Sequence, residues 1–147
     1  MNEASGKDTS EILREVRHIL FPKEHQVRWL HHTKNPGCDA LTVNDKPCRP
    51  TDNWAHLFTL DGALYRVLAP THSYTNPTDY YGVTNTVCKA ISRLFYKNKD
   101  WKQIFIGTWE TQSRRTAKDI RKVLDLAIEI AEHVEKELEQ EVEDDVA

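Results

Sequence analysis

No apolar run in this 147-residue chain approaches the ~20 residues that a helix needs to cross a bilayer. The first eleven residues, MNEASGKDTSE, are polar and contain no apolar stretch of the kind a secretory signal requires. Cysteine is scarce and odd in number: Cys38, Cys48 and Cys88 are widely spaced and suggest reduced thiols in a cytoplasmic setting rather than a disulfide framework. No Gly-rich phosphate loop, G-x-S-x-G elbow or H-E-x-x-H pair is present, so no standard catalytic signature is available. His31, His32, Cys38, Cys48 and His56 fit no standard zinc spacing, and neither a metal nor a cofactor is expected. The chain also lacks internal repeats. A net charge of −3 argues against a generic binder of nucleic-acid polymers.

What is present is an ordinary globular composition, 39% hydrophobic and 29% charged, in a length that suits one domain. Residues 1–7 and 142–147 read as flexible ends. The charge is polarised. From Lys89 to Lys122 ten Lys/Arg face three acids, whereas from Glu132 to Ala147 eight acids face one lysine.

The periodicities predict a mainly α, compact four-helix domain with a small β-hairpin and a long C-terminal helix. Asp8 and Glu11 form a capping-box-like start for a first helix, whose inner face is Ile12, Leu13, Val16, Ile19 and Leu20, and Phe21-Pro22 stops it. Asn44-Asp45 reads as a tight turn between CDALTV and KPC, which sets Cys48 opposite Leu41. Thr51 or Asp52 could cap a second helix carrying Trp54, Leu57, Phe58, Leu64, Val67 and Leu68 inward, with Gly62 permitting a close helix–helix approach. Residues 69–81 show no periodicity and are expected to form a long polar loop with three tyrosines, as binding loops often do. A third helix follows with Val83, Val87, Ile91, Leu94 and Phe95 inside, and QIFIGTW reads as a short extended segment. The last helix begins at the capping-box variant Thr116-x-x-Asp119 and runs to about Glu141. Its apolar stripe is broad as far as Ala131 and narrow beyond, so its second half should project or pair with another subunit.

Trp29, the stretch ALTVNDKPCRPTD (Ala40 to Asp52), GAL (Gly62 to Leu64) and TWETQSRRT (Thr108 to Thr116) fall in an order that resembles a family of small actinobacterial and phage proteins of unknown function. That family's pattern runs W, ARD-x-DG, GAL, WND-x-x-x-RT. Here Leu41-Thr42 replaces its Arg-Asp and Glu110-Thr111 its Asn-Asp. The resemblance implies a mostly helical fold and no particular activity.

The start of the last helix breaks a local rule. A helix favours acids at its N-terminus, yet Arg114, Arg115, Lys118, Arg121 and Lys122 crowd this one. One reading is that Trp109 fills the core, Thr116 caps and the charges are solvated, or meet the acidic tail of another copy. The other is an anion-binding site in which Trp109, Arg114, Arg115, Thr116 and Lys118 take part, with His72, Tyr74, Asn76, Tyr80 and Tyr81 of the aromatic loop.

The leading expectation is therefore a non-enzymatic binder of a nucleotide-like anion, with sequestration of an immune signal as a role that a phage source would suit. The alternative is a homodimer that uses the last helix and the acidic tail. For an enzyme, the candidate acid/base groups would be Asp61, His56 and His72. Neither a membrane nor a specific nucleic-acid polymer is an expected partner.

Overall fold

The structure, a computed structural model, describes residues 8–34, 36–72, 77–97 and 99–146, with the backbone alone at 70–72, 77–80 and 142–146. The described residues are mainly helical. They comprise α1 (Thr9–Leu20), β1 (Ala40–Thr42), β2 (Ala55–Phe58), α2 (Leu60–His72), α3 (Pro77–Phe95), a 3-10 turn (Trp101–Gln103), α4 (Ile106–Glu110) and α5 (Ala117–Val146). The long helix α5 packs against both α1 and α3, and α2 lies against α1 and α4. Ile12, Leu13, Leu60, Ile91, Trp109 and Leu124 are among the largest side chains buried between them.

Helix α1 follows its apolar stripe and ends at Leu20, as Phe21-Pro22 requires. Its cap differs from expectation. The Asp8 side chain makes no capping hydrogen bond. Instead, the carboxylate of Glu135 on α5 accepts from the backbone N–H of Ser10 at 3.2 Å and from its hydroxyl at 2.5 Å. One of the free N–H groups of α1 is thus satisfied from across the domain.

The turn after β1 is the expected one, built on a three-residue loop. Asp45 N–H donates to the Thr42 carbonyl, Asp45 adopts φ of 62°, and Thr42 N–H donates to the Lys46 carbonyl. This register sets Leu41 opposite Pro47, not Cys48. The antiparallel partner strand of β1 is β2, with Ala40 facing Phe58 and Leu41 facing Leu57.

Four assignments are corrected. Residues 55–58 form β2 rather than the first turn of helix two, because pairing with β1 outweighs a helical spacing that is too short to be decisive. Trp54 consequently stands outside the core, 79% exposed. Gly62 permits a close approach, but to the chain before β1 rather than to a helix: a Cβ there would lie 2.2 Å from the Asp39 carbonyl oxygen. Residues 69–72 continue α2 and 77–81 open α3, so both ends of the expected aromatic loop are helical; residues 73–76 lie outside the described residues. Proline is well tolerated at the first position of a helix, where its missing N–H has no partner to lose, and Pro77 starts α3 in this way. Finally, part of QIFIGTW is helical, as α4, which buries Ile106 and Trp109.

Helix α5 starts as expected. Thr116 N–H donates to Asp119 Oδ2 at 3.0 Å and Asp119 N–H donates to Thr116 Oγ1 at 3.3 Å. Burial continues to Ala131, beyond which Val134 and Leu138 are exposed.

Candidate functional site

The charge-reversed start of α5 resolves into two kinds of residue. Arg115 is taken up by the protein. Its guanidinium donates to the Trp109 carbonyl at 3.0 Å and to Gln112 Oε1 at 2.7 Å, and it lies 3.8 Å from Asp119 Oδ2. It also stacks over the Trp109 ring at 4.2 Å and the Phe95 ring at 4.7 Å. Trp109 itself is 1% exposed. Arg121 is partly engaged: it lies 4.5 Å above the Phe21 ring and donates to the Glu24 carbonyl at 3.4 Å. Arg114, Lys118 and Lys122 are exposed.

At the start of α5 the Thr116 N–H is taken by Asp119 Oδ2 and the Asp119 N–H by Thr116 Oγ1, so the capping box already occupies two of the groups an anion would use. The cations nevertheless converge nearby. Lys118, Arg121 and Lys122 recur at i, i+3 and i+4 and therefore share a face. With Asp125 they form one side of a groove of about 560 Å3, closed on the other side by Phe21, Glu24, His25 and Val27 and floored at one end by Ala117. Asp125 is held by Arg17 at 2.6 Å.

A second groove, of about 590 Å3, runs between α3, the 3-10 turn and α5. Leu126, Ile130 and Val134 make its apolar floor, while Lys89, Arg93, Lys99 and Trp101 make its rim. The ammonium groups of Lys89 and Lys102 lie 5.1 and 5.9 Å from the Trp101 ring centre. The two halves of the basic segment thus line two different grooves.

Tyr81 is exposed on α3 and lines neither groove. Tyr74 and Asn76 lie outside the described residues, as do the side chains of His72 and Tyr80.

Among the described residues, the carboxylate raised furthest lies elsewhere. Glu110, 3% exposed at the end of α4, accepts from the Leu60 N–H at 2.5 Å, the Asp61 N–H at 3.3 Å and the Trp29 indole N–H at 2.6 Å. It caps the N-terminus of α2 together with Thr59, whose hydroxyl accepts from Gly62 N–H at 2.9 Å. Burial pushes the Glu110 carboxyl up to about 7, against the lowering effect of its hydrogen bonds. Asp61 beside it is raised by burial and by the charge of Asp39. Sequence reasoning singled out Asp61 as a candidate acid/base group but met Glu110 only as a departure from a pattern.

Three of the four stretches that carry the resemblance meet around this carboxylate: Trp29 donates to it, Gly62 lies in the helix turn it caps, and Arg115 stacks on the Trp109 beside it. These motifs build the core. His56 and Asp61 line neither groove, and among the described residues no cluster of three or more His, Cys, Asp or Glu could hold a metal ion. No helix among the described residues is long and apolar enough to cross a membrane. No protein family, curated protein or solved structure matches the chain.

Proposed function

We propose that this chain is a non-catalytic binder of a small phosphate-bearing anion, with a nucleotide as the leading class, seated in the groove between α5 and the segment after α1. The observation that carries this reading is the convergence of Lys118, Arg121 and Lys122 on one groove with His25 opposite. The groove is of a size that small ligands occupy. Of its two acids, Asp125 is already engaged by Arg17. Lysine and arginine together offer point-charge and forked donors to phosphate oxygens. Placing cations here also accounts for the reversed charge of the α5 start, which packing explains only at Arg115 and Arg121. In the phage setting that the resemblance implies, such a binder would sequester a nucleotide signal without consuming it.

Native mass spectrometry with inorganic phosphate, mononucleotides and cyclic dinucleotides tests the reading. The expected result is a chemically intact nucleotide adduct that is lost in the Lys118→Ala/Lys122→Ala double variant and weakened by salt. Absence of any adduct, or one that the double variant retains, would overturn it.

A further inference from the structure

Helix α5 outlasts the domain that supports it. Glu135, bonded to Ser10, ties it to the start of α1. Beyond that point Glu137, Leu138, Glu139 and Glu141 are exposed, although the helix continues to Val146. An isolated helical end of this length is marginal in water unless something packs on it. Leu126, Ile130, Val134 and Leu138 recur every fourth residue, which makes one stripe along α5. The first three floor the Trp101 groove; Val134 is still 46% exposed and Leu138 is 56% exposed.

We propose that the projecting acidic end of α5 docks antiparallel into the Trp101 groove of a second copy of this chain, and that the second copy returns the contact in a two-fold dimer. The charges are complementary. Lys89, Arg93 and Lys99 rim the groove against Asp100 and Glu129, leaving it net positive even before His133 is counted. The helix end carries Glu137, Glu139 and Glu141. The stripe is self-complementary as well: an antiparallel register that packs Leu138 on the other copy's Leu126 also packs Val134 on Ile130, and the same pairs recur across the two-fold axis. Because α5 is one continuous helix, its end cannot turn back into its own groove. The required arrangement therefore arises between two copies, and it leaves the Lys118 groove on a different face of α5.

Sedimentation velocity over a concentration series, at low and high salt, tests the dimer. The full chain should dimerise at micromolar concentration and dissociate more readily in salt. Val134→Ala with Leu138→Ala should raise the dissociation constant by roughly tenfold or more, since both side chains leave a buried seam while alanine preserves the helix. Lys89→Glu with Arg93→Glu should give a monomer, and adding Glu137→Lys with Glu139→Lys to that chain should restore the dimer. Far-UV circular dichroism confirms folding of each variant. A chain that stays monomeric, a dimer indifferent to the Val134/Leu138 change, or charge reversal without rescue would each overturn the proposal. Lys118→Ala/Lys122→Ala should leave the dimer intact, so failure of the ligand reading and failure of this one are separate results.

Discussion

The indole N–H of Trp29 donates to the carboxylate of Glu110 at 2.6 Å, across 81 positions of sequence. Through the other bonds of that carboxylate, the contact joins the segment beside β2 to the start of α2 and the end of α4. It is a structural junction, and its buried carboxylate leads to a predicted pH dependence of the fold.

The Glu110 carboxyl is raised from 4.5 to about 7 by burial, so the folded chain binds this proton more tightly than the unfolded chain. Its contribution is fully present below pH 4.5 and is lost as pH rises toward 7. Asp61 shifts in the same direction. Urea unfolding at pH 5, 6, 7 and 8 should therefore show stability falling by up to about 3 kcal/mol from this group, at about 1.4 kcal/mol per pKa unit. Glu110→Gln should flatten that slope. A slope unchanged by the substitution would remove Glu110 as its source.

Gly62→Ala should destabilise the domain by about 1–3 kcal/mol, toward the top of the range for overpacking. The obstruction is a backbone carbonyl, Asp39 O, which the Thr59 N–H holds at 3.0 Å and which cannot rotate away as a side chain could. Thermal denaturation reads the change directly.

Arg115→Ala should lower stability by about 2–3 kcal/mol, because it removes a charged donor from a buried carbonyl and uncovers two rings. Arg114→Ala should leave stability unchanged, since that side chain is exposed. Equal effects from the two adjacent arginines in chemical denaturation would contradict the division of labour seen at the start of α5.

Two tryptophans make a similar contrast. Trp109→Ala should cost about 3–5 kcal/mol, the range for a large core aromatic, whereas Trp54→Ala should stay within about 0.5 kcal/mol of the parent. The helical reading of residues 54–58 would have given both a similar cost.

The sequence by itself determined what local physics controls. The stripe Ile12–Leu13–Val16–Leu20 makes α1, Phe21-Pro22 ends it, and the Thr116–Asp119 box begins α5, because 3.6-residue periodicity, proline and capping act over a few positions. The projection of α5 beyond Ala131 was legible for the same reason, as a narrowing of the apolar stripe.

Only tertiary structure decided the rest. Residues 55–58 became a strand because β1 offered them a hydrogen-bonding edge. Glu135 rather than Asp8 capped α1, and Glu110 from α4 helped to cap α2, because unsatisfied N–H groups take whichever carboxylate the packing brings near. At the candidate site, the cationic face at Lys118, Arg121 and Lys122 could be read from spacing. That Arg115 turns inward onto Trp109 depends on where α3 and α4 sit beside the start of α5, and that His25 and Val27 close the opposite wall depends on how α1 lies along α5. Local rules fix which face of a helix carries charge; which wall that face meets depends on burial spread over the whole chain.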